Sequence, residues 1–188
     1  MLLVNQCLIL PGDEFVQSQR PVDFAHWSLL FGVLLCLPLN RLPSGRRVGS
    51  VATGMLWVGS VALVGQAVID LCWWSYGNDL KGLNDFVVQL MAEPSIRVPF
   101  ITIGPVFFYL GMLGPLSRLA GRWSMPMVLG ITSVAMIGVG SFVLRERLSI
   151  LAGHAILTLA IMWMLIALQD QGGPESAAAY GARIESRE

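Results

Sequence analysis

The sequence predicts an all-α integral membrane protein, a bundle of five transmembrane helices with one interfacial amphipathic helix. Hydrophobic residues make up 55% of the 188 residues and charged residues only 13%, whereas soluble domains carry about 25% charged residues. Five stretches of 17 to 22 residues contain no formal charge, and a hydrocarbon core about 30 Å thick needs about 20 residues of helix. The apolar runs are unbroken, which favours helices over the alternating segments of a membrane β-barrel.

The charge balance excludes two classes of protein. The chain carries 12 basic and 12 acidic side chains, for a net charge of zero, so no basic excess is present to neutralise nucleic-acid phosphates. Its high hydrophobicity excludes an intrinsically disordered protein. We therefore expect the lipid bilayer as partner, with other membrane subunits or further copies of the chain, and no nucleic acid.

The uncharged stretches divide the chain into an arm, a transmembrane domain and a tail. The apolar segment before Pro11 is too short to span a membrane, so residues 1–22 are predicted to form an interfacial or loosely packed arm. Residues 170–188 are polar and rich in small residues, and predict a disordered tail. The transmembrane domain covers residues 23–169, with spans predicted at about 24–40, 48–69, 98–117, 123–144 and 148–169.

One long connection, residues 70–97, predicts the interfacial helix at about 78–93. Its apolar residues recur at helical spacing with charged residues between them; they are Leu80, Leu83, Val87, Leu90 and Met91. This pattern favours a helix that lies in the interface as a covering flap. A lid over a cavity in the bundle is the alternative.

The third span contains a predicted kink at Gly104 and Pro105. Proline lacks the backbone N–H and interrupts the helix near mid-membrane. Neighbouring groups often satisfy the freed carbonyl, which favours a structural kink, although broken helices also form substrate sites in transporters. Small residues such as Gly59, and the pair Ser149 and Gly153, predict close helix contacts within or between chains.

Two histidines lie within predicted spans, His26 in the first and His154 in the fifth. Their expected depths differ by about one turn on the same side of the membrane. Facing imidazoles are what bis-histidine ligation of haem b requires, so haem is one interpretation. A metal site that also uses Asp70 or Glu146 is another, and structural hydrogen bonds are the favoured one.

Helix parity brings the ionisable residues to one end of the bundle, because the second span ends where the first and fifth begin. Asp70, Arg145 and Glu146 are therefore expected at the same face as His26 and His154. Ionisable groups near membrane depth are costly and tend to serve a function. We expect any functional pocket at this face.

Arginines in the short connections predict the orientation. Arg41, Arg46 and Arg47 follow the first span, and Arg118 and Arg122 follow the third. The other face has as many basic residues, namely Arg20, Lys81, Arg97, Arg145 and Arg147. The first span often determines the orientation, and three arginines follow it against one before it, which favours the cytoplasm for the loop after it. The sequence therefore predicts a cell-membrane protein with its N-terminus outside and its C-terminus in the cytoplasm.

These features favour a small, multi-pass, non-catalytic membrane protein, either an accessory subunit, a scaffold or a binder of a hydrophobic ligand. The sequence contains no nucleotide-binding, zinc-protease, serine-hydrolase or redox-cysteine motif. One alternative is a single-haem electron-transfer protein that uses His26 and His154. The other is a small transporter built around the kink at Pro105.

Overall fold

The computed structural model describes residues 1–41, 47–77, 79–117 and 125–171 of the protein. These residues form helices, with no strand among them. The α-helices are α1 Leu2–Ile9, α2 Asp13–Ser18, α3 Phe24–Cys36, α4 Arg47–Ser75, α5 Leu80–Ala92, α6 Pro94–Ile96, α7 Gly104–Leu116, α8 Met125–Gly138 and α9 Arg147–Gln171. A 3₁₀ helix covers Leu37–Arg41, and π-helical segments cover Arg97–Ile103 and Val139–Leu144. The predicted tail lies outside the described residues from position 172 onwards.

Four helical stretches are long and apolar enough to cross a membrane. They are Ser50–Ser75, Pro94–Leu116, Met125–Leu144 and Arg147–Gln169, and they correspond to the second to fifth predicted spans. The first predicted span is the shorter apolar helix Phe24–Leu39. Length and composition therefore identify four of the five predicted spans.

The long helices pack on one another in chain order. Helix α3 packs on α4, α4 on α7, α7 on α8, and α8 on α9. Helix α1 contacts both α3 and α9, and so lies between the first and last helices of the series. Leu2 of α1 joins Val33, Leu56 and Phe108 in a buried apolar cluster, so the N-terminal segment is part of the core.

Glycines allow two pairs of helices to approach closely. A Cβ atom at Gly59 of α4 would overlap the backbone of Phe108 in α7, and one at Gly111 would overlap the backbone of Leu56. A Cβ atom at Gly153 of α9 would overlap the Ile137 side chain of α8 and would lie 3.1 Å from backbone atoms of the same helix. The predicted close contacts at Gly59 and Gly153 therefore form within one chain. In lipid the hydrophobic effect does not drive helices together, and small residues favour association because they allow close packing.

The predicted amphipathic helix is present as α5. The Asp79 carboxylate accepts a hydrogen bond of 3.0 Å from the Gly82 backbone N–H, which caps the first turn. Leu83 is half-buried and Asp85 is exposed, as expected for an amphipathic helix. The predicted start of this helix at position 78 lies outside the described residues, and its location in the interface stays a prediction.

The third span changes helix type at the predicted kink. The π-helical segment Arg97–Ile103 ends where α7 begins at Gly104. The Gly104 N–H donates to the carbonyl of Pro99, five residues earlier. Pro105 falls in the first turn of α7, where it has no N–H to donate to the carbonyls of the π-helical segment that precedes it.

Candidate functional site

A cavity of about 630 Å³ lies among the helices near the N-terminal ends of α3 and α9 and the C-terminal end of α4. Cavities of about 300–1,000 Å³ are typical of small-molecule sites. Its polar lining residues are Asn5, Gln6, His26, Gln66, Asp70, Tyr109, Ser141 and His154. The cavity therefore brings together the two histidines and Asp70, which the sequence placed at one face.

His26 is held at the start of α3 by the residue that caps this helix. One oxygen of the Asp23 carboxylate accepts the His26 backbone N–H at 3.0 Å, and the other lies 2.6 Å from His26 Nδ1. Asp23 is only 1% exposed. Since a carboxylate accepts, Nδ1 donates its proton, and among the described residues no partner is present for Nε2.

His154 uses both of its ring nitrogens. Nδ1 lies 2.8 Å from the carbonyl oxygen of Ile150, and Nε2 lies 2.7 Å from the Tyr109 hydroxyl. Because a carbonyl only accepts, Nδ1 carries the proton, and Nε2 of the neutral ring accepts from Tyr109. His154 is 2% exposed, so these two bonds satisfy a buried ring.

This geometry does not fit bis-histidine ligation of haem. An iron ligand needs a free ring nitrogen, and His154 has none while Tyr109 donates to Nε2. Within the described part of the chain, no group of three His, Cys, Asp or Glu side chains could hold a metal ion. The haem and metal interpretations therefore receive no support from this arrangement.

Gln66 and Asp70 lie one turn apart on α4 and both face the cavity. The Oε1 atom of Gln66 is buried and has no hydrogen-bond partner among the described residues. Asp70 lies within electrostatic range of His26 and Asp23. Among the side chains that the structure describes, Asp70 forms no ion pair. The cavity therefore contains acceptor atoms that the protein does not use.

Helix α1 closes one side of the cavity. Asn5 is 3% exposed, and its Nδ2 donates to the Ala25 carbonyl at 2.9 Å. Gln6 Nε2 donates to Asn5 Oδ1 at 2.8 Å, and Arg147 Nη1 donates to the Ile9 carbonyl at 3.1 Å. Sequence reasoning missed α1, although two adjacent amides in an apolar segment are a signal that polar partners lie nearby.

Two of the predicted pocket residues lie outside the cavity wall. Arg145 and Glu146 are exposed and form the connection that leads into α9. Arg145 has a φ of 52°, and the Glu146 N–H donates to the Gly140 carbonyl at 3.0 Å. Of the predicted kink residues, Pro105 lines the cavity and Gly104 does not.

Comparison with protein-family models, with curated proteins and with solved structures gives no match for this chain. The function is therefore inferred from the cavity. Among the described residues that line it, none is a lysine or an arginine. Its wall combines apolar side chains with hydrogen-bonding groups, an arrangement typical of a small-molecule site.

Proposed function

We propose that this protein is a non-catalytic, multi-pass protein of the cell membrane that binds a small amphipathic molecule in the cavity. The observation that carries the proposal is the division of the cavity wall into two sides. The side from α1, α3 and α4 carries most of the polar groups, Asn5, Gln6, His26, Gln66 and Asp70, together with Ile9, Leu29 and Leu63. The side from α7, α8 and the π-helical segments is mainly apolar, with Ile101, Val106, Leu110, Val134, Ile137 and Phe142, and its polar groups are Tyr109 and Ser141.

Two sides of different polarity favour an amphipathic ligand over a purely apolar one. Apolar wall atoms gain free energy when a hydrocarbon group replaces water, by about 25 cal/mol per Å². Unpaired polar atoms such as Gln66 Oε1 gain only when a ligand supplies a hydrogen bond, because an unsatisfied buried polar group costs about 1–3 kcal/mol. One molecule with an apolar body and a polar head meets both requirements.

The proposal includes five membrane crossings, with α3 and the 3₁₀ helix as the first. At about 1.5 Å per α-helical and about 2.0 Å per 3₁₀ residue, Phe24–Leu39 reaches about 26 Å, close to a hydrocarbon thickness of about 30 Å. His26 at one end lines the cavity. Leu39 at the other packs near Leu116 and Met164, which supports a crossing of the bundle.

The arginines of the two short connections assign the opposite face to the cytoplasm. Arg41, Arg46 and Arg47 precede or begin α4, and Arg118 and Arg122 lie between α7 and α8. Short arginine-rich loops stay in the cytoplasm. The N-terminus and the cavity then belong to the outer side, and the C-terminus to the cytoplasmic side.

Saturable photolabelling tests the binding proposal. The full chain in lipid nanodiscs is exposed to dodecanol that carries a diazirine on its chain, and labelled peptides are located by mass spectrometry. We expect label on α8 that excess unlabelled dodecanol removes. Val134→Trp fills the cavity and abolishes this label, whereas Val128→Trp, at a position exposed on the same helix, preserves it. Equal labelling of both variants, or label that excess dodecanol does not reduce, contradicts the proposal.

Transport is a second candidate, and the irregular backbone of the third span favours it. The π-helical segment Arg97–Ile103 meets α7 beside the cavity, and Ile101 and Pro105 line the wall. Broken helices of this kind form substrate sites in transporters. A transporter moves an amphipathic fluorescent dye across proteoliposomes, and Pro105→Ala slows this movement, whereas a binding protein gives no movement above that of protein-free liposomes.

A further inference from the structure

The polar side of the cavity has an excess of free acceptors. Gln66 Oε1 is buried with no partner among the described residues, and Asp70 lines the cavity and forms no ion pair among the described side chains. His26 Nε2 adds a lone pair when Nδ1 donates to Asp23. A ligand head that satisfies these atoms must therefore donate hydrogen bonds.

Three donor groups of the cavity wall each donate one hydrogen bond within the protein. Asn5 Nδ2 donates to the Ala25 carbonyl, and Gln6 Nε2 donates to Asn5 Oδ1. The Tyr109 hydroxyl donates to His154 Nε2. A ligand head that can only accept, such as a carboxylate or a ketone, would depend on the remaining amide N–H groups, with no cationic side chain among the described lining residues.

The formal charge of the cavity wall also favours a donor that is positively charged. Asp70 is the one carboxylate among the described lining residues, and the nearby Asp23 carboxylate already accepts from His26 Nδ1 at 2.6 Å. No lysine or arginine is present among the lining residues that the structure describes. A carboxylate that is removed from water without a cation is strongly destabilised, and a ligand cation would relieve that cost at Asp70.

We propose that the bound molecule is a lipophilic amine, whose protonated nitrogen lies between Asp70 and Gln66 and whose hydrocarbon part lies on the apolar side. The ammonium N–H groups donate to the Asp70 carboxylate and to Gln66 Oε1, a charge-assisted arrangement. This inference rests on the proposed function, since it names the class of molecule that the cavity takes. A fatty acid of equal length would bring a second negative charge beside Asp70 and is excluded from the site.

Competition among three head groups tests this inference in the wild-type protein. Dodecylamine, dodecanol and dodecanoate are each titrated against the photoreactive dodecanol in nanodiscs. A charged hydrogen bond is stronger than a neutral one, so we expect dodecylamine to compete at a concentration about tenfold lower than dodecanol, and dodecanoate to compete least. Equal competition by amine and alcohol overturns the inference but leaves the proposed function intact, whereas no saturable label with dodecanol contradicts the proposed function itself.

The variant Asp70→Asn tests whether the Asp70 carboxylate causes the preference for dodecylamine over dodecanol. This variant keeps a side chain of the same size, and its free energy of unfolding, from titration with sodium dodecyl sulfate, shows whether the fold is kept. We expect the amine to lose its advantage over the alcohol, to within about twofold, when the charge-assisted bond is lost. Asp85→Asn, which removes an exposed carboxylate of α5, is the matched control and keeps the wild-type preference. A preference unchanged in Asp70→Asn overturns the inference.

Discussion

His26 and His154 are each fixed through Nδ1, but they differ in what happens at Nε2. In His154 this nitrogen accepts from the Tyr109 hydroxyl, so the ring and the phenol satisfy each other in a buried setting. In His26 it is the nitrogen that no described residue contacts. The two imidazoles share one cavity, yet only His26 has a ring atom available to a ligand.

The bond between Tyr109 and His154 predicts a cost for Tyr109→Phe. The substitution leaves Nε2 of a buried imidazole without a donor, and such a loss destabilises by about 1–3 kcal/mol. The free energy of unfolding, from titration with sodium dodecyl sulfate, measures it. Tyr76→Phe is the control, because Tyr76 is exposed and its ring contacts Phe86, and it should change stability little. Equal stability of Tyr109→Phe and wild type would show that the bond contributes nothing.

At the scale of the elements, backbone contact between α4 and α7 determines how closely two spans lie. Gly59 and Gly111 face the opposite backbones at Phe108 and Leu56, so the contact is reciprocal. Close packing of this kind replaces the hydrophobic effect, which does not drive association between helices in lipid.

Gly59→Val is therefore expected to separate the two helices. The valine side chain would overlap the backbone of Phe108, and backbone atoms cannot move aside as the end of a flexible side chain can. Overpacking costs about 1–3 kcal/mol or more, measured as a fall in the free energy of unfolding. Gly54→Val lies on the same helix, where an added Cβ atom meets open space, and it serves as control. A loss of equal size in both variants would point to helix propensity and not to the contact.

Helix α5 provides a test of the interfacial assignment. In a background where Cys7, Cys36 and Cys72 are serine, a cysteine is introduced by Leu83→Cys or by Asp85→Cys. The half-buried position 83 should react more slowly with a membrane-impermeant thiol reagent than the exposed position 85, because an amphipathic helix turns its apolar side away from water. Equal, fast reaction at both positions would contradict an interfacial helix.

The stretches without charged residues predicted the four long spans, because the number of consecutive uncharged residues can be counted directly in the sequence. The π-helical segments could not be predicted, because they share no sequence pattern: Arg97–Ile103 contains Pro99, whereas Val139–Leu144 contains no proline. Helix parity placed His26, Asp70 and His154 at one end, but their arrangement around one cavity depends on which helices are neighbours. The position of Asn5 in that cavity depends on α1 packing between α3 and α9, and only tertiary structure contains that information.

At the scale of the whole molecule, the proposed five crossings place the two ends of the chain on opposite sides of the membrane. A reporter fused after residue 188 is expected in the cytoplasm, and one inserted within residues 78–92 is expected outside, because of the arginine distribution. Paired alkaline phosphatase and fluorescent protein fusions measure this. Both reporters in one compartment would contradict five crossings, and exchanged compartments would contradict only the orientation.

Helix α1 contacts an early-made and a late-made part of the chain. Asn5 can bond Ala25 as soon as α3 is made, whereas the Ile9 carbonyl meets Arg147, 138 residues further along the chain, only when α9 is present. Residues of both α1 and α9 line the cavity. The wall between these two helices is therefore the part of the cavity that is completed last during synthesis.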